Sequence, residues 1–158
     1  MRLILMRHAQ AVATGEDGVE ADFDRHLTPV GRRQAAAVAT HLAGLAVAFD
    51  AILSSPFKRA LETAGFLLPL LATPGGITVA NELASESGQI EEMAAAVAAT
   101  GADTALAVGH MPDIARLCRW LAGGGGGSFD TAQAVCLRFD AGVGAGRGRV
   151  EWTFVPSI

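Results

Sequence analysis

The chain has few cysteines, no excess of basic charge and no long apolar run, and each shortage excludes a class of protein. Two cysteines among 158 residues do not make a disulfide framework, so we expect a reducing, cytoplasmic location. A formal net charge of −4 gives no basic field, so we expect no nucleic-acid partner. The longest apolar run, 64–72, contains Pro69 and cannot cross a bilayer, and the run at 3–6 is too short for a signal peptide. We therefore expect no membrane partner.

Several motifs of phosphate and metal chemistry are also missing. The glycine-rich segment Gly123–Gly127 lacks the Lys-Ser/Thr pair of a phosphate-binding loop, and the glycines of 142–148 lie between predicted strands, which argues against a dinucleotide site. Neither cysteine is followed by arginine six positions later, and the acidic run 22–24 follows no strand, so thiol- and aspartate-nucleophile phosphatases are excluded. No cysteine or histidine pair has metal-ligand spacing, so we expect no dedicated metal site.

What is present is a regular alternation of strand and helix signals. The apolar fraction of 51% and charged fraction of 18% are typical of a globular chain, which we expect to form a single domain over 1–158. We predict strands at 2–7, 51–54, 77–80, 104–108, 132–139 and 149–155, and helices at 29–42, 57–68, 90–100 and from 112. This order predicts an α/β fold, a three-layer αβα sandwich with a mostly parallel central sheet and an antiparallel C-terminal element.

Polar side chains follow the ends of the predicted strands. Arg7 and His8 close the first strand, and His110 follows the fourth. Arg59 lies in the first turn of the helix after the second strand, and Glu82 follows the third. Because ligands bind outside the carboxyl ends of the strands in such sheets, we expect these residues to meet at one rim. Two imidazoles and two guanidiniums there predict a site that handles a phosphoryl group through histidine.

Each of these residues taken alone has an ordinary structural explanation, and only their joint placement favours function. Glu82 is the best-placed carboxylate for acid–base chemistry, whereas Glu86 is expected to be an ordinary charge near a helix start. Arg25 lies in the long loop 10–27, which could fold over the site and bring a third guanidinium. A solvated loop arginine is an equally good interpretation of that residue.

The same segments resemble the histidine phosphatase superfamily, which includes phosphoglycerate mutases and many small phosphatases. The resemblance covers nearly the whole chain. It rests on five ordered motifs: LMRH at 5–8, LTPVGRRQA at 27–35, SSPFKRALETA at 54–64, EL at 82–83 and VGHMP at 108–112. The short length and the segment DRHLT at 24–28 are most similar to SixA-type phosphohistidine phosphatases. One position departs from the family, because Ala9 stands where glycine is usual.

The resemblance implies a role for each matched residue. His8 would attack phosphorus and carry the phosphoryl group, and Glu82 would protonate the leaving group and then help to activate water. The phosphate-binding groups that it implies are Arg7, Arg25, Arg59, His110 and the backbone N–H of Met111. No metal or organic cofactor is implied.

The range of possible substrates is limited by the short segment that could form a lid over the site. Few residues separate Arg59 from Glu82, so an open site is expected, which argues against mutase activity. We expect a metal-independent phosphatase that acts on phosphohistidine in a protein such as a phosphotransfer domain. A phosphomonoesterase for a sugar phosphate or cofactor precursor stays open, as does a non-catalytic phosphate-binding module, because of Ala9. The sequence leaves the oligomeric state open.

Overall fold

The computed structural model describes residues 1–125 and 127–157. Gly126, in the predicted connector Gly123–Gly127, and Ile158, the last residue of the predicted domain, lie outside the described residues. The strands are β1 (Arg2–Arg7), β2 (Ala51–Ser54), β3 (Thr78–Val79), β4 (Thr104–Gly109), β5 (Ala134–Phe139) and β6 (Gly148–Phe154). The helices are α1 (Pro29–Gly44), α2 (Lys58–Gly65), α3 (Ile90–Ala99) and α4 (Asp113–Ala122). None of these helices is long and apolar enough to cross a membrane.

One sheet joins the six strands in the order β3-β2-β4-β1-β5-β6. The strands β1 to β4 pair in parallel, whereas β5 pairs antiparallel with both β1 and β6. The predicted mostly parallel sheet with an antiparallel C-terminal hairpin is thus confirmed. Because β2, β4 and β1 are neighbours and run in the same direction, the residues that follow them emerge side by side.

Two layers of helices cover the sheet, as the predicted sandwich requires. Along β1, Leu3 and Leu5 pack into a core with α3 and α4, while Ile4 and Met6 pack into a second core with α1 and α2. This alternation follows from the two-residue repeat of a strand. All four residues are at most 1% exposed, so the strand that leads to the candidate nucleophile is held on both faces.

The predicted first residues of the helices match the structure more closely than the predicted last residues do. Thr28 caps α1, since its Oγ1 accepts a hydrogen bond from the backbone N–H of Gly31 at 3.0 Å, with Pro29 as the first helical residue. Helix α2 ends at Gly65, short of the predicted residue 68. Pro69 explains the shortening, because its ring would clash with a carbonyl one turn earlier if the helix continued. A separate one-turn 3-10 helix, Leu68–Leu70, follows.

Both thiols lie inside the protein. Cys118 packs in the core that contains α3 and α4, and Cys136 packs in the core that contains α1 and α2, each without a disulfide. Burial raises the pKa of the Cys118 thiol and, with the nearby Glu151 carboxylate, raises the pKa of Cys136 to about 12. Both thiols therefore stay protonated and act as small apolar side chains.

Replacement of Gly31 by alanine is expected to destabilise the protein by about 2–3 kcal/mol. A Cβ at this position would lie 2.0 Å from the backbone oxygen of Gln10, so the loop after β1 would have to move. Gly44→Ala is the matched control in the same helix, because no atom lies within 4 Å of its Cβ position. Urea unfolding should show the control unchanged or more stable by up to about 1 kcal/mol. Equal stability of the two variants would contradict the prediction.

Candidate active site

A polar cavity of about 560 Å³ opens at the carboxyl ends of β1, β2 and β4. His8 comes directly after β1, His110 comes directly after β4, and Arg59 is the second residue of α2. Their convergence at one rim, predicted from the strand ends, is what the structure shows. The cavity is lined by Arg7, His8, Asp22, Arg25, Phe57, Arg59, Ser85, Glu86, His110 and Met111.

His8 is held as a neutral imidazole with the lone pair on its Nε2 atom. The ring is only 6% exposed, and its Nδ1 lies 2.7 Å from the carbonyl oxygen of Ala9. Because a carbonyl can only accept, Nδ1 carries the hydrogen and Nε2 carries the lone pair. The hydrogen bond from Arg59 is consistent with this tautomer, since Nε of Arg59 donates to Nε2 of His8 at 3.3 Å. Burial, followed by the nearby arginine charges, lowers the pKa of His8 to about 3 against the opposing hydrogen bond to Ala9.

His110 faces His8 across the cavity. The two ring centroids lie 5.1 Å apart, and Nε2 of His110 lies 2.7 Å from the hydroxyl oxygen of Ser55. The same hydroxyl oxygen accepts the backbone N–H of Phe57 at 3.1 Å. Burial is the first cause that lowers the pKa of His110 to about 3. Nδ1 of His110 is buried and has no hydrogen-bond partner in the part of the chain that is described.

Two guanidiniums border the histidine pair. Arg59 is 3% exposed. Arg7 donates from one terminal nitrogen to the carbonyl oxygen of Phe129 at 2.8 Å. Its Nε is buried without a partner among residues 1–125 and 127–157, like Nδ1 of His110. Two buried polar nitrogens without partners at one cavity are costly in a native structure unless a ligand accepts from them. A tetrahedral oxyanion fits this need, because its oxygens can accept from several directions.

The loop 10–27 folds against the cavity and brings Arg25 with it, as one of the two sequence interpretations proposed. Arg25 is fixed by hydrogen bonds from Nε to the carbonyl oxygen of Val12 at 2.6 Å and from a terminal nitrogen to Asp22 Oδ1 at 3.1 Å. Asp22 begins a one-turn 3-10 helix, Asp22–Asp24, and its other carboxylate oxygen lies 3.2 Å from Arg59. The loop therefore adds one cation and one anion to the site.

The turn after His8 tolerates alanine. Ala9 is fully buried, and its φ is not among the left-handed values of the chain, so a Cβ there needs no strained backbone. Its N–H donates to Thr63 Oγ1 at 3.0 Å, and the same hydroxyl donates to the carbonyl oxygen of Arg59 at 2.7 Å. Thr63 thus ties the turn that carries the candidate nucleophile to the helix that carries Arg59.

The carboxylates at the cavity differ from the one selected by sequence. Glu82 lies in a one-turn helix, Asn81–Leu83, and is not among the described residues that line the cavity. Asp22 and Glu86 line it instead. Glu86 has a left-handed φ of 60°, which is uncommon outside glycine and turns its side chain away from a regular strand or helix pattern. No periodic signal marks Asp22 or Glu86, and the catalytic role of Glu82 stays a prediction.

Comparison with known proteins assigns the family. A model of the histidine phosphatase superfamily (branch 1) matches residues 3–112. The chain belongs to this superfamily. Human mitochondrial serine/threonine-protein phosphatase PGAM5 is 36% identical over 89 residues, which are 56% of this chain and 29% of that protein. The chain therefore matches less than a third of the length of this curated relative. The resemblance found in the motifs is confirmed at the level of the family.

Solved structures agree over the whole fold of this histidine phosphatase. The protein histidine phosphatase SixA, complexed with tungstate, superposes with a TM-score of 0.83 at 26% identity, covering 98% of this chain and 97% of that one. A SixA-type protein from Nakamurella multipartitia gives a TM-score of 0.80 at 26% identity, covering 99% and 96%. Family membership and these relatives together support a phosphatase.

Proposed function

We propose that this histidine phosphatase hydrolyses phosphohistidine in a protein, through a phosphoryl group carried transiently on His8. The observation that carries the proposal is the buried, neutral ring of His8 in the cavity wall, whose Nε2 lone pair accepts a hydrogen bond of 3.3 Å from Arg59. SixA, at 26% identity over nearly the full chain, supports the substrate class. The tungstate in that SixA structure is a tetrahedral oxyanion, which is the shape of ligand that the donor groups here fit.

Binding of the phosphoryl group uses donors that the fold already positions. The Nε of Arg7 and the Nδ1 of His110 have no other described partner, and each offers a donor to a phosphoryl oxygen. For His110 this requires the tautomer in which Ser55 donates its hydroxyl hydrogen to Nε2 and Nδ1 carries the ring proton. Arg25 adds positive charge at the outer side. Such fixed donors stabilise the charge that spreads over the oxygens in the transition state.

Attack on phosphorus follows from the tautomer of His8. The Nε2 lone pair forms a new N–P bond while the bond from phosphorus to the leaving nitrogen breaks, and the electron pair of that bond goes to the leaving group. The resulting positive charge on His8 is shared with the Ala9 carbonyl through Nδ1–H. Water then attacks phosphorus while the bond from phosphorus to Nε2 breaks. The electron pair of that bond returns to Nε2, which leaves His8 neutral, and both hydrogens of the water depart with the inorganic phosphate.

The leaving group favours phosphohistidine over an ester. A phosphohistidine ring protonated on its other nitrogen leaves as neutral imidazole, so it needs little help from a protein acid. An ester leaves as an alkoxide and needs a proton donor. Asp22 lines the cavity but is held by two arginines. Burial alone would raise the pKa of Asp22, but the hydrogen bonds and charges of Arg25 and Arg59 outweigh it, so the pKa is lowered. Asp22 is therefore a poor proton donor.

A second candidate substrate is phosphoserine or phosphothreonine in a protein. The human relative with 36% identity over 89 residues is a serine/threonine-protein phosphatase, and that identity is higher than the identity with SixA. An ester substrate would require a proton donor at the cavity. The carboxylates among the described lining residues are Asp22, which is ion-paired with two arginines, and Glu86, so Glu86 is the candidate donor. The two candidates thus differ in their need for an acid.

The deciding experiment compares kcat/KM on a phosphohistidine protein, a phosphoserine peptide and a set of sugar phosphates, in the presence of a chelator. The proposal expects the phosphohistidine protein to exceed the others by at least about 10²-fold, without loss in the chelator. Preference for an ester would overturn the substrate assignment. Glu86→Gln serves as the internal test, because it should slow only an ester reaction.

The two cavity histidines are expected to stay neutral well below the pH at which a free imidazole charges. With the pKa of each lowered from 6.5 to about 3, their NMR ring signals in the free protein should show the neutral form from pH 8 to pH 5. Between about pH 6.5 and pH 3 the unfolded chain binds protons that the native chain does not, so the free energy of unfolding should fall as the pH falls. Titration of either ring near pH 6.5 would contradict this expectation.

A further inference from the structure

We propose that Asp22 is a specificity-determining residue, an internal anion that competes with the phosphoryl group for Arg25 and Arg59. The inference rests on the proposed phosphate site, but not on which phosphorylated compound is hydrolysed. It assigns the loop 10–27 a task beyond delivering Arg25, namely to keep weakly held anions out of the site.

The contacts of Asp22 occupy the groups that an oxyanion would use. Arg59 donates from one terminal nitrogen to the backbone oxygen of Asp22 at 2.8 Å and from the other to its Oδ2 at 3.2 Å. Arg25 donates to Oδ1 at 3.1 Å. The third nitrogen of Arg59 donates to His8, so every nitrogen of this guanidinium already has a partner. The Asp22 carboxylate holds the two arginines as a bound oxyanion would hold them.

Charge makes the two anions compete. The Asp22 carboxylate remains ionised between the two guanidiniums, and a phosphoryl group placed at Arg59 would bring like charge close to it. Repulsion of this kind discriminates against a ligand without any loss of shape complementarity. Inorganic phosphate makes contacts only through its own oxygens, so these contacts alone must compensate for the displacement of Asp22. A protein substrate has further surface with which to compensate, so the substrate enters and the phosphate product is released.

The segment that carries Asp22 is built to move at small cost. Its side chain is 51% exposed, whereas that of its partner Arg59 is 4% exposed. An incoming oxyanion would replace the carboxylate at this buried guanidinium, so the exchange leaves no buried charge unpaired. The neighbouring Phe23 is 48% exposed and rests against Phe57 with ring centroids 5.0 Å apart. Few backbone hydrogen bonds hold the turn, among them Asp24 N–H to Ala21 at 3.1 Å and Arg25 N–H to Asp22 at 3.3 Å. A segment with few buried contacts opens readily.

Calorimetric binding of inorganic phosphate tests the inference. Asp22→Asn keeps the size of the side chain and removes its charge, and we expect phosphate to bind about 5- to 10-fold more tightly to this variant. Asp24→Asn is the matched control, because Asp24 lies in the same turn and its carboxylate makes no hydrogen bond or ion pair with described residues. Unchanged or weaker binding by Asp22→Asn overturns the inference. Equal tightening by both variants also overturns it, since it would reflect net charge alone.

Hydrogen exchange on the unmodified protein gives a second, independent readout. Saturating phosphate should displace Asp22 and speed exchange at the amides of Asp24 and Arg25, whose partners lie within the turn. Unchanged or slower exchange there overturns the inference. Neither measurement uses turnover. Absence of phosphohistidine hydrolysis would therefore reject the proposed function and leave the result on Asp22 to stand or fall separately.

Discussion

His8→Ala is expected to lower kcat/KM on the phosphohistidine protein by about 10⁴-fold or more. The variant loses the Nε2 lone pair that forms the bond to phosphorus, and no other described group at the cavity can carry a phosphoryl group on an unprotonated nitrogen except His110. His110 is a poor substitute, because its Nε2 lies 2.7 Å from the Ser55 hydroxyl, a closer contact than the 3.3 Å between Arg59 and Nε2 of His8, and its Nδ1 carries the ring proton in the tautomer described above. Initial rates of phosphate release measure the effect directly.

A control and a trapping experiment make the result on His8 decisive. His41→Ala removes a histidine that stacks on Phe154 with ring centroids 3.9 Å apart and that is not among the cavity residues, so this variant should keep its activity. Rapid quenching with base should recover an acid-labile, base-stable phosphoryl group on wild-type protein and none on His8→Ala. A fully active His8→Ala would reject the mechanism and favour the non-catalytic alternative or another nucleophile.

Arg59→Ala should reduce kcat by about 10²- to 10³-fold, the usual cost of removing a fixed donor from a developing charge. This guanidinium is 3% exposed and contacts both the nucleophile and Asp22, so its loss also frees the first loop. Arg59→Lys should recover little, because an ammonium cannot reproduce the planar fork that reaches His8 and Asp22 together. Stopped assays at saturating substrate separate the effect on kcat from an effect on KM.

The neighbouring residue provides the control for Arg59. Lys58 is exposed at the first position of the same helix, and Lys58→Ala removes the same formal charge without touching the cavity. We expect its kcat to stay within about two-fold of wild type. If both variants lost activity equally, the effect would be one of general electrostatic attraction, and Arg59 would have no specific role in the transition state.

The rim of the site was predictable because its residues follow directly from strand ends. Arg7, His8 and His110 are adjacent in sequence to buried runs, and the rule for parallel sheets then brings them together. Arg59 was predictable for a related reason, since it lies in the first turn of the helix that follows the second strand. The role of Ser55 was not predicted, because nothing in the sequence indicates that its hydroxyl lies 2.7 Å from His110.

The remainder of the site depends on contacts between segments that have no local pattern. Asp22 reaches Arg59 only because the loop 10–27 folds against the cavity, and hydrogen bonds such as the one from Arg25 to Val12 hold the loop there. Glu86 reaches the cavity through a left-handed backbone, which no propensity would predict for glutamate. Sequence periodicity reports which face of a long helix or strand is buried, whereas Asp22 lies in a one-turn 3-10 helix and Glu86 lies in a turn.

Because His8 directly follows β1, which lies in the middle of the sheet, the active site can form only after strands that are distant in the sequence have paired. This strand pairs on one side with β4, about a hundred residues downstream, and on the other with β5, about 130 residues downstream. Such distant partners must close long loops before they gain stabilising contacts, so folding is expected to be slow compared with a protein of local contacts. Recovery of activity during refolding should accordingly lag behind helix formation, and turnover would report the last stage of assembly.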